Sequence, residues 1–227
     1  MQAASDLILL EHHATVAHLV LNRPDKKNAL SVDLRDAVSD AIERLAADDA
    51  VRCVILSGSG QDFSAGFDLG EFTRAAGDPD FERILWASSD RYHRLLLNFP
   101  LPLIAAVRGV ALGGGMDTAV LCDVRIAGES ARFGHPEAAF GDVVYAPLHD
   151  IIGGAAAREL CLTGRIIEAG EARACGLVVQ VVEDDVLMAT AMATATVIAR
   201  APRETLKRTK SKFIARAAVT FDHTRAL

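Results

Sequence analysis

Apolar and polar positions alternate between strand-like and helix-like periods along the first half of the chain. Residues 7–22 form two apolar runs broken at His12, His13 and Ala14, which predicts a strand pair joined by a short turn. Residues 22–27 are polar and carry Pro24, and so read as a loop. Ser31 is placed to cap a helix whose apolar residues Leu34, Val38, Ala41, Ile42 and Leu45 recur at helical spacing, with an end near Asp48. Residues 51–56 are a compact apolar run closed by Ser57, Gly58, Ser59 and Gly60, the pattern of a buried strand leaving into a loop.

The theme repeats. A helical stretch at residues 81–98 precedes a strand at 103–107, and a further short strand at 124–127 follows another helix. Such alternation predicts an α/β fold with parallel strands. From Pro147 onward strand signals thin out, apart from residues 177–182, and helix formers dominate, so the C-terminal part is expected to be helical. Low-complexity tracts and solenoid periods are absent from the sequence.

Composition narrows the function classes. With 227 residues, 51% of them hydrophobic, the chain is long enough to bury a large core as a single domain. A net charge of −6 lacks the basic footprint that neutralises a phosphate backbone, so nucleic acid is not an expected partner. Residues 1–11 lack the plan of a secretory signal, and no apolar run is long enough to cross a bilayer, so a soluble, cytoplasmic protein with no membrane partner is expected. Cys53, Cys122, Cys161 and Cys175 are scattered among apolar neighbours without a C-x-x-C pair. They read as reduced core residues, a nucleophilic cysteine being the less supported alternative.

Three segments carry candidate chemistry. In Phe63-Ser64-Ala65-Gly66-Phe67-Asp68-Leu69 a glycine permits a sharp turn that leaves the N–H of Phe67 free to face a cleft, although an ordinary strand-to-helix turn has the same pattern. In Val110-Ala111-Leu112-Gly113-Gly114-Gly115-Met116-Asp117 the glycines at a strand-to-helix junction let a ligand approach the backbone, with unpaired N–H groups and the helix dipole directed at it; a tight packing crossover is the alternative. Two such amide sources converging on one carbonyl oxygen would stabilise the negative charge that develops there, and each donor is worth roughly 3 kcal/mol. In Phe133-Gly134-His135-Pro136-Glu137 a carboxylate follows a proline at an expected helix start, and Asp117 sits in the first turn of the preceding helix. Facing one cleft, the two acids would have pKa values pushed apart by burial and repulsion; singly, each would read as a helix N-terminal charge.

These segments, with Leu21-Asn22-Arg23-Pro24, Asn28-Ala29-Leu30-Ser31 and Leu162-Thr163-Gly164-Arg165, resemble in order the motifs of the enoyl-CoA hydratase/isomerase (crotonase) family, over residues 7–202. The resemblance implies a crotonase-like spiral of ββα units, with a core over residues 1–200 holding a CoA-thioester site. It also implies a helical segment at 201–227, shortened relative to the family, and assembly into a homotrimer or a dimer of trimers. By the same resemblance the oxyanion-hole amides fall on Phe67 and Gly114, and the acids on Asp117 and Glu137. The CoA path falls on Ala65, Gly66, Phe67, Asp68, Leu69 and Gly70 with Gly113 and Gly114, and its nucleotide end lies near Lys26 and Ala29. No metal is implied, and coenzyme A enters only as part of an acyl-CoA substrate.

Departures from the family pattern shape the expected reaction. Hydratases of the family usually carry Glu at the place of Asp117. Dienoyl isomerases carry Asp there but add a second Asp where this chain has Tyr145. Gly70 replaces a basic residue of many relatives. Residues 141–152 hold Asp142, Tyr145, Pro147, His149 and Asp150 where a glycine-rich stretch is common; Asp142 and His149 read as solvated loop residues. The sequence stops at Leu227, short of terminal helices that relatives use as a cover. The leading expectation is syn hydration of a trans-2-enoyl-CoA to a 3-hydroxyacyl-CoA through an enolate. The rival is a double-bond isomerase that uses Glu137 alone, and a non-enzymatic alternative is an acyl-CoA-binding protein without turnover.

Overall fold

The structure, a computed structural model, describes residues 7–139, 141–217, 219 and 221–227. A six-stranded sheet runs in the order β1 (Ile8–His13), β2 (Val16–Leu21), β3 (Cys53–Gly58), β4 (Leu103–Val107), β6 (Val124–Gly128) and β9 (Gln180–Val182). A small second sheet joins β5 (Val110–Leu112), β7 (Arg132–Gly134) and β8 (Ile167–Glu168). Parallel pairing links β2 to β3, β3 to β4, β4 to β6, and β6 to β9, while β1 is antiparallel to β2. Helices α1 (Val32–Ala47), α2 (Leu69–Ala75), α3 (Pro79–Leu97) and α4 (Gly114–Val120) make the crossovers. After β7 come α5 (Ala146–Ile152), α6 (Gly154–Thr163), α7 (Ala169–Ala174), α8 (Leu187–Ile198) and α9 (Arg203–Ala217).

The parallel strands bury both faces, as crossovers on each side require. Leu19, Leu21, Val54, Leu56, Leu103 and Ala105 join the large core with Leu34, Val38 and Ile42 of α1 and Tyr92 and Leu96 of α3. On the opposite face of the sheet Val16, Cys53, Ile55, Ile104 and Ile126 meet Leu187, Ala191 and Ala195, the stripe that α8 presents every fourth residue. Ser31 caps α1 by accepting the Leu34 N–H, and Asp48 ends it.

Two expectations shift by a turn's width. The first strand continues through His12 and His13, and the reversal falls on Ala14 and Thr15, with Ala14 at φ 54°. Glu11 and His13 pair with His18 and Val16 across the antiparallel ladder, and an edge strand tolerates such polar residues on its exposed positions. The third strand lies at Cys53–Gly58, so Ser57 and Gly58 belong to it; their pairing with Val20 and Leu21 outweighs the local turn signal.

Helix α9 is tied to the sheet by a part-buried ion pair. Lys210 Nζ donates to both carboxylate oxygens of Asp123 at 2.7 and 2.6 Å, and Asp123 also accepts the Leu103 N–H.

Candidate active site

Backbone pairing brings the candidate segments together. Ser64 bridges in parallel to Ala111, with Ser64 N–H donating to Val110 O at 2.9 Å and Leu112 N–H to Ser64 O at 3.0 Å. Leu30 bridges to Phe67, with Leu30 N–H donating to Gly66 O at 2.8 Å. The segment at 63–67 is therefore stitched between β5 and residues 27–30. On its other side β5 pairs with β7, Leu112 opposite Gly134, and Gly113 N–H donates to Gly134 O at 2.9 Å. That register delivers His135 and Glu137, which follow β7, beside the glycine turn at 113–115.

The turns touch. Gly66 has φ +91°, and a side chain there would put its Cβ 2.6 Å from Leu112 O and 3.3 Å from Gly114 N. Only glycine permits this conformation and this approach together. Gly114 opens α4, where the first amides lack intrahelical partners. Among the described residues, neither Phe67 N–H nor Gly114 N–H donates a hydrogen bond. The Phe67 ring lies against Gly114, 3.6 Å from where a Cβ would stand.

Glu137 sits at the start of a helix, as expected; it is a one-turn 3-10 helix, Pro136–Ala139. Both of its carboxylate oxygens lie 3.0 Å from the position of a Gly113 Cβ, so the acid rests on the backbone next to Gly114. Burial pushes its pKa up to about 7; the Asp117 carboxylate adds to the rise and His135 opposes it.

Asp117, one turn into α4, is buried, and its Oδ1 lies 2.7 Å from His135 Nε2, whose imidazole is 1% exposed. Burial alone would lower the histidine pKa. The charge and hydrogen bond of Asp117, with smaller help from Cys161 and Glu137, outweigh that and raise it to about 10. His135 Nδ1 is buried with no hydrogen-bond partner. Asp117, His135 and Glu137 place donor atoms within 4.8 Å of one another, but the imidazole nitrogen facing Asp117 is already engaged by it.

A scaffold that the sequence reading missed holds the turns. Asn28, fully buried at φ 53°, accepts from Arg23 N–H and donates to Ser59 O and Asp62 O. Ser64 Oγ donates to Asn28 O and accepts from Gly66 N–H. Arg35, buried in α1, donates to Leu30 O, Leu85 O and Ser88 Oγ, and its guanidinium stacks 4.7 Å from the Phe67 ring centroid. Arg35 precedes Val38 by three residues and so lies on the buried stripe of α1, a signal available in the sequence. Tyr92 and the buried His93 of α3 complete the wall, with Tyr92 Oη 2.9 Å from Thr118 Oγ1 and His93 edge-on to Phe67 at 6.1 Å.

Of the residues expected along a CoA path, Ala65, Gly66, Phe67, Gly113 and Gly114 lie in this cluster of turns. Ala65 N–H donates to Lys27 O, which joins the Lys26–Ala29 loop to it; Lys26 itself is exposed and Ala29 half-buried. Asp68 is otherwise occupied, capping α2 through Gly70 N–H at 3.0 Å and pairing with Arg23 at 3.1 Å. Leu69 and Gly70 are exposed. Tyr145 and Ala146 donate their N–H groups to Leu227 O, and the Tyr145 ring packs against His149 at 5.5 Å, which engages the 145–149 segment with the chain end. Asp142 is exposed.

A layered α/β core with paired glycine turns and an acid beside them matches a known family. The chain belongs to the enoyl-CoA hydratase/isomerase family, whose model matches residues 11–226. It is 35% identical over 209 residues to a probable enoyl-CoA hydratase of Mycobacterium leprae (strain TN), covering 90% of this chain and 80% of that one. Over 192 residues it is 36% identical to a crotonyl-CoA hydratase of Syntrophomonas wolfei, covering 82% and 72%. The crystal structure of an enoyl-CoA hydratase/carnithine racemase from Magnetospirillum magneticum superposes with a TM-score of 0.86 at 35% identity, over 93% of this chain and 80% of that one. The fold is thus the crotonase fold. No described helix is long and apolar enough to cross a membrane.

Proposed function

We propose that this chain hydrates trans-2-enoyl-CoA thioesters to 3-hydroxyacyl-CoA. The observation that carries the reading is the seat of Glu137 on the backbone of Gly113, beside the Gly114 amide and across from the Phe67 turn. An acyl carbonyl held by Phe67 and Gly114 N–H groups would present its α-carbon to this acid. Water held by Asp117 adds its oxygen to the β-carbon, and the double-bond electrons move into the thioester as an enolate. Glu137 gives its proton to the α-carbon, the proton leaving water passes to Asp117, and exchange through the next water resets the two acids. Coenzyme A is part of the substrate, and the scheme uses no resident cofactor.

The Asp117–His135 pair favours a second reading specifically. An Asp engaged by an imidazolium is a poorer holder of water, and a double-bond isomerase needs Glu137 alone to lift a proton from one carbon and return it to another. Loss of enoyl absorbance when purified protein meets crotonyl-CoA tests hydration directly. Unchanged absorbance there, with conversion of a 3-enoyl-CoA to its 2-enoyl isomer, would replace hydration by isomerisation. Tight acyl-CoA binding with no product from either would leave a binding protein. Assembly as a trimer or a pair of trimers belongs to the same proposal, and light scattering on the eluted protein reads it.

A further inference from the structure

Away from the cleft, the β1–β2 hairpin gathers three side chains on one side of the sheet. The antiparallel register sets Glu11 directly opposite His18 and His13 opposite Val16. Since alternate strand residues share a face, Glu11, His13 and His18 lie on the side where Val16 meets α8. His13 Nε2 lies 3.3 Å from Glu11 Oε2, and His18 Nδ1 lies 3.9 Å from the same oxygen. One donor atom from each of the three falls within 4.8 Å of the others.

We infer that this hairpin is a binding site for a divalent transition-metal cation of the zinc type, held by Glu11, His13 and His18. Two imidazoles and a carboxylate are the donor set that borderline ions such as Zn2+ prefer over Mg2+ or Ca2+. Ligands on a tetrahedral zinc ion at about 2.0–2.1 Å stand roughly 3.3 Å apart, so two of the three donors already have the needed separation and the third needs a small rotation.

Second, His18 is oriented as a ligand should be. Its Nε2 is 2.8 Å from Ser57 Oγ on the neighbouring strand, which fixes the ring and leaves Nδ1 facing Glu11. A metal-binding histidine characteristically engages its other nitrogen in this way. His18 is also held where it cannot drift: its side chain is 14% exposed and β2 is paired on both edges. His13 and Glu11, at 49% and 58% exposed, supply the mobile half that closes on the ion and leaves the fourth position to water. The site would clasp the edge strand β1 to its neighbour beside the turn that closes the hairpin.

The test is calorimetric titration of ZnCl2 into the untagged, chelator-stripped full chain, with a thermal melt in parallel. One ion per chain is expected. His13→Ala and His18→Ala should each weaken binding at least tenfold and abolish the zinc-dependent rise in melting temperature, and Ser57→Ala should weaken it about tenfold through the lost orientation of His18. Turnover should be unchanged in all three. Mg2+ should give no heat. Absence of zinc binding, or binding that His18→Ala leaves intact, overturns the inference. So does loss of the signal in His135→Ala with His18→Ala unaffected, because the ion would then sit in the cleft.

Discussion

His135 and Asp117 form a buried ion pair at 2.7 Å directly beside the acid that the proposed chemistry depends on. The pair joins the first turn of α4 to the residue after β7, so it also fastens two elements of the cleft wall. Removing only the imidazole would leave the Asp117 carboxylate buried without its counter-charge. Breaking such a pair costs about 3–5 kcal/mol, whereas replacing both partners by apolar groups is often neutral. His135→Ala should lower the denaturation free energy by that order, and the double variant Asp117→Leu/His135→Leu should recover much of it. The histidine pKa is raised in the folded state, so its stabilisation is fully present below about 6.5 and is lost as pH climbs toward about 10. Chemical denaturation of wild type and both variants at pH 6 and pH 9 reads the effect.

Asp117→Asn separates the two readings of the reaction. The amide keeps the shape and can still hydrogen-bond to His135, but it cannot take a proton from water. If hydration is the reaction, it should fall by roughly two orders of magnitude or more, the usual worth of a positioned acid or base. Double-bond migration on a 3-enoyl-CoA should survive within a few-fold. Equal loss of both activities would show that Asp117 acts chiefly through the shape of the cleft.

The layers and most of the cleft were legible in the sequence, because strand and helix periods and glycine turns are local signals. The Ser31 cap and the stripe Leu34, Val38, Ile42 placed α1 nearly to the residue. The glycines marked a sharp turn at 66 and a strand-to-helix junction at 113–115; that the two turns meet, Gly66 against Leu112 O, only the packing shows. What the sequence could not display was long-range pairing of buried polar groups. His135 stands beside Glu137 in a quoted motif, yet its partner lies on another element 18 residues away. Asp68 stands in the 63–69 segment, yet its partner Arg23 lies 45 residues earlier. Charged partners distant in sequence carry no periodicity, so only packing reveals them.

The pH profile should report which protonation state of Glu137 does the work. Its pKa is raised to about 7 by burial. Hydration uses the protonated acid to supply the α-carbon, so kcat/KM for crotonyl-CoA should be level below pH 6 and fall as pH passes through about 7. Isomerisation starts with the carboxylate as base, and its profile should rise through the same region. Glu137→Asp should shift or weaken the limb, whereas a profile untouched by that change would assign the titration to another group.

Glu137 should also cost the fold stability at the pH where it ionises. The folded pKa, about 7, lies above the ordinary 4.5, so the folded chain binds the proton more tightly than the unfolded chain. Stability contributed by the protonated acid is therefore present below about pH 4.5 and is lost as pH rises to about 7, beyond which the loss is constant. The shift corresponds to roughly 3 kcal/mol as an upper figure, reduced by whatever water reaches the half-buried carboxylate. Glu137→Gln removes the charge while keeping the shape. It should melt close to wild type at pH 5 and several degrees higher at pH 8, with turnover abolished at both. A variant that gains stability while losing activity would mark this carboxylate as held in the cleft for chemistry at the expense of the fold, and a lower melting temperature at pH 8 would count against the burial assigned to it here.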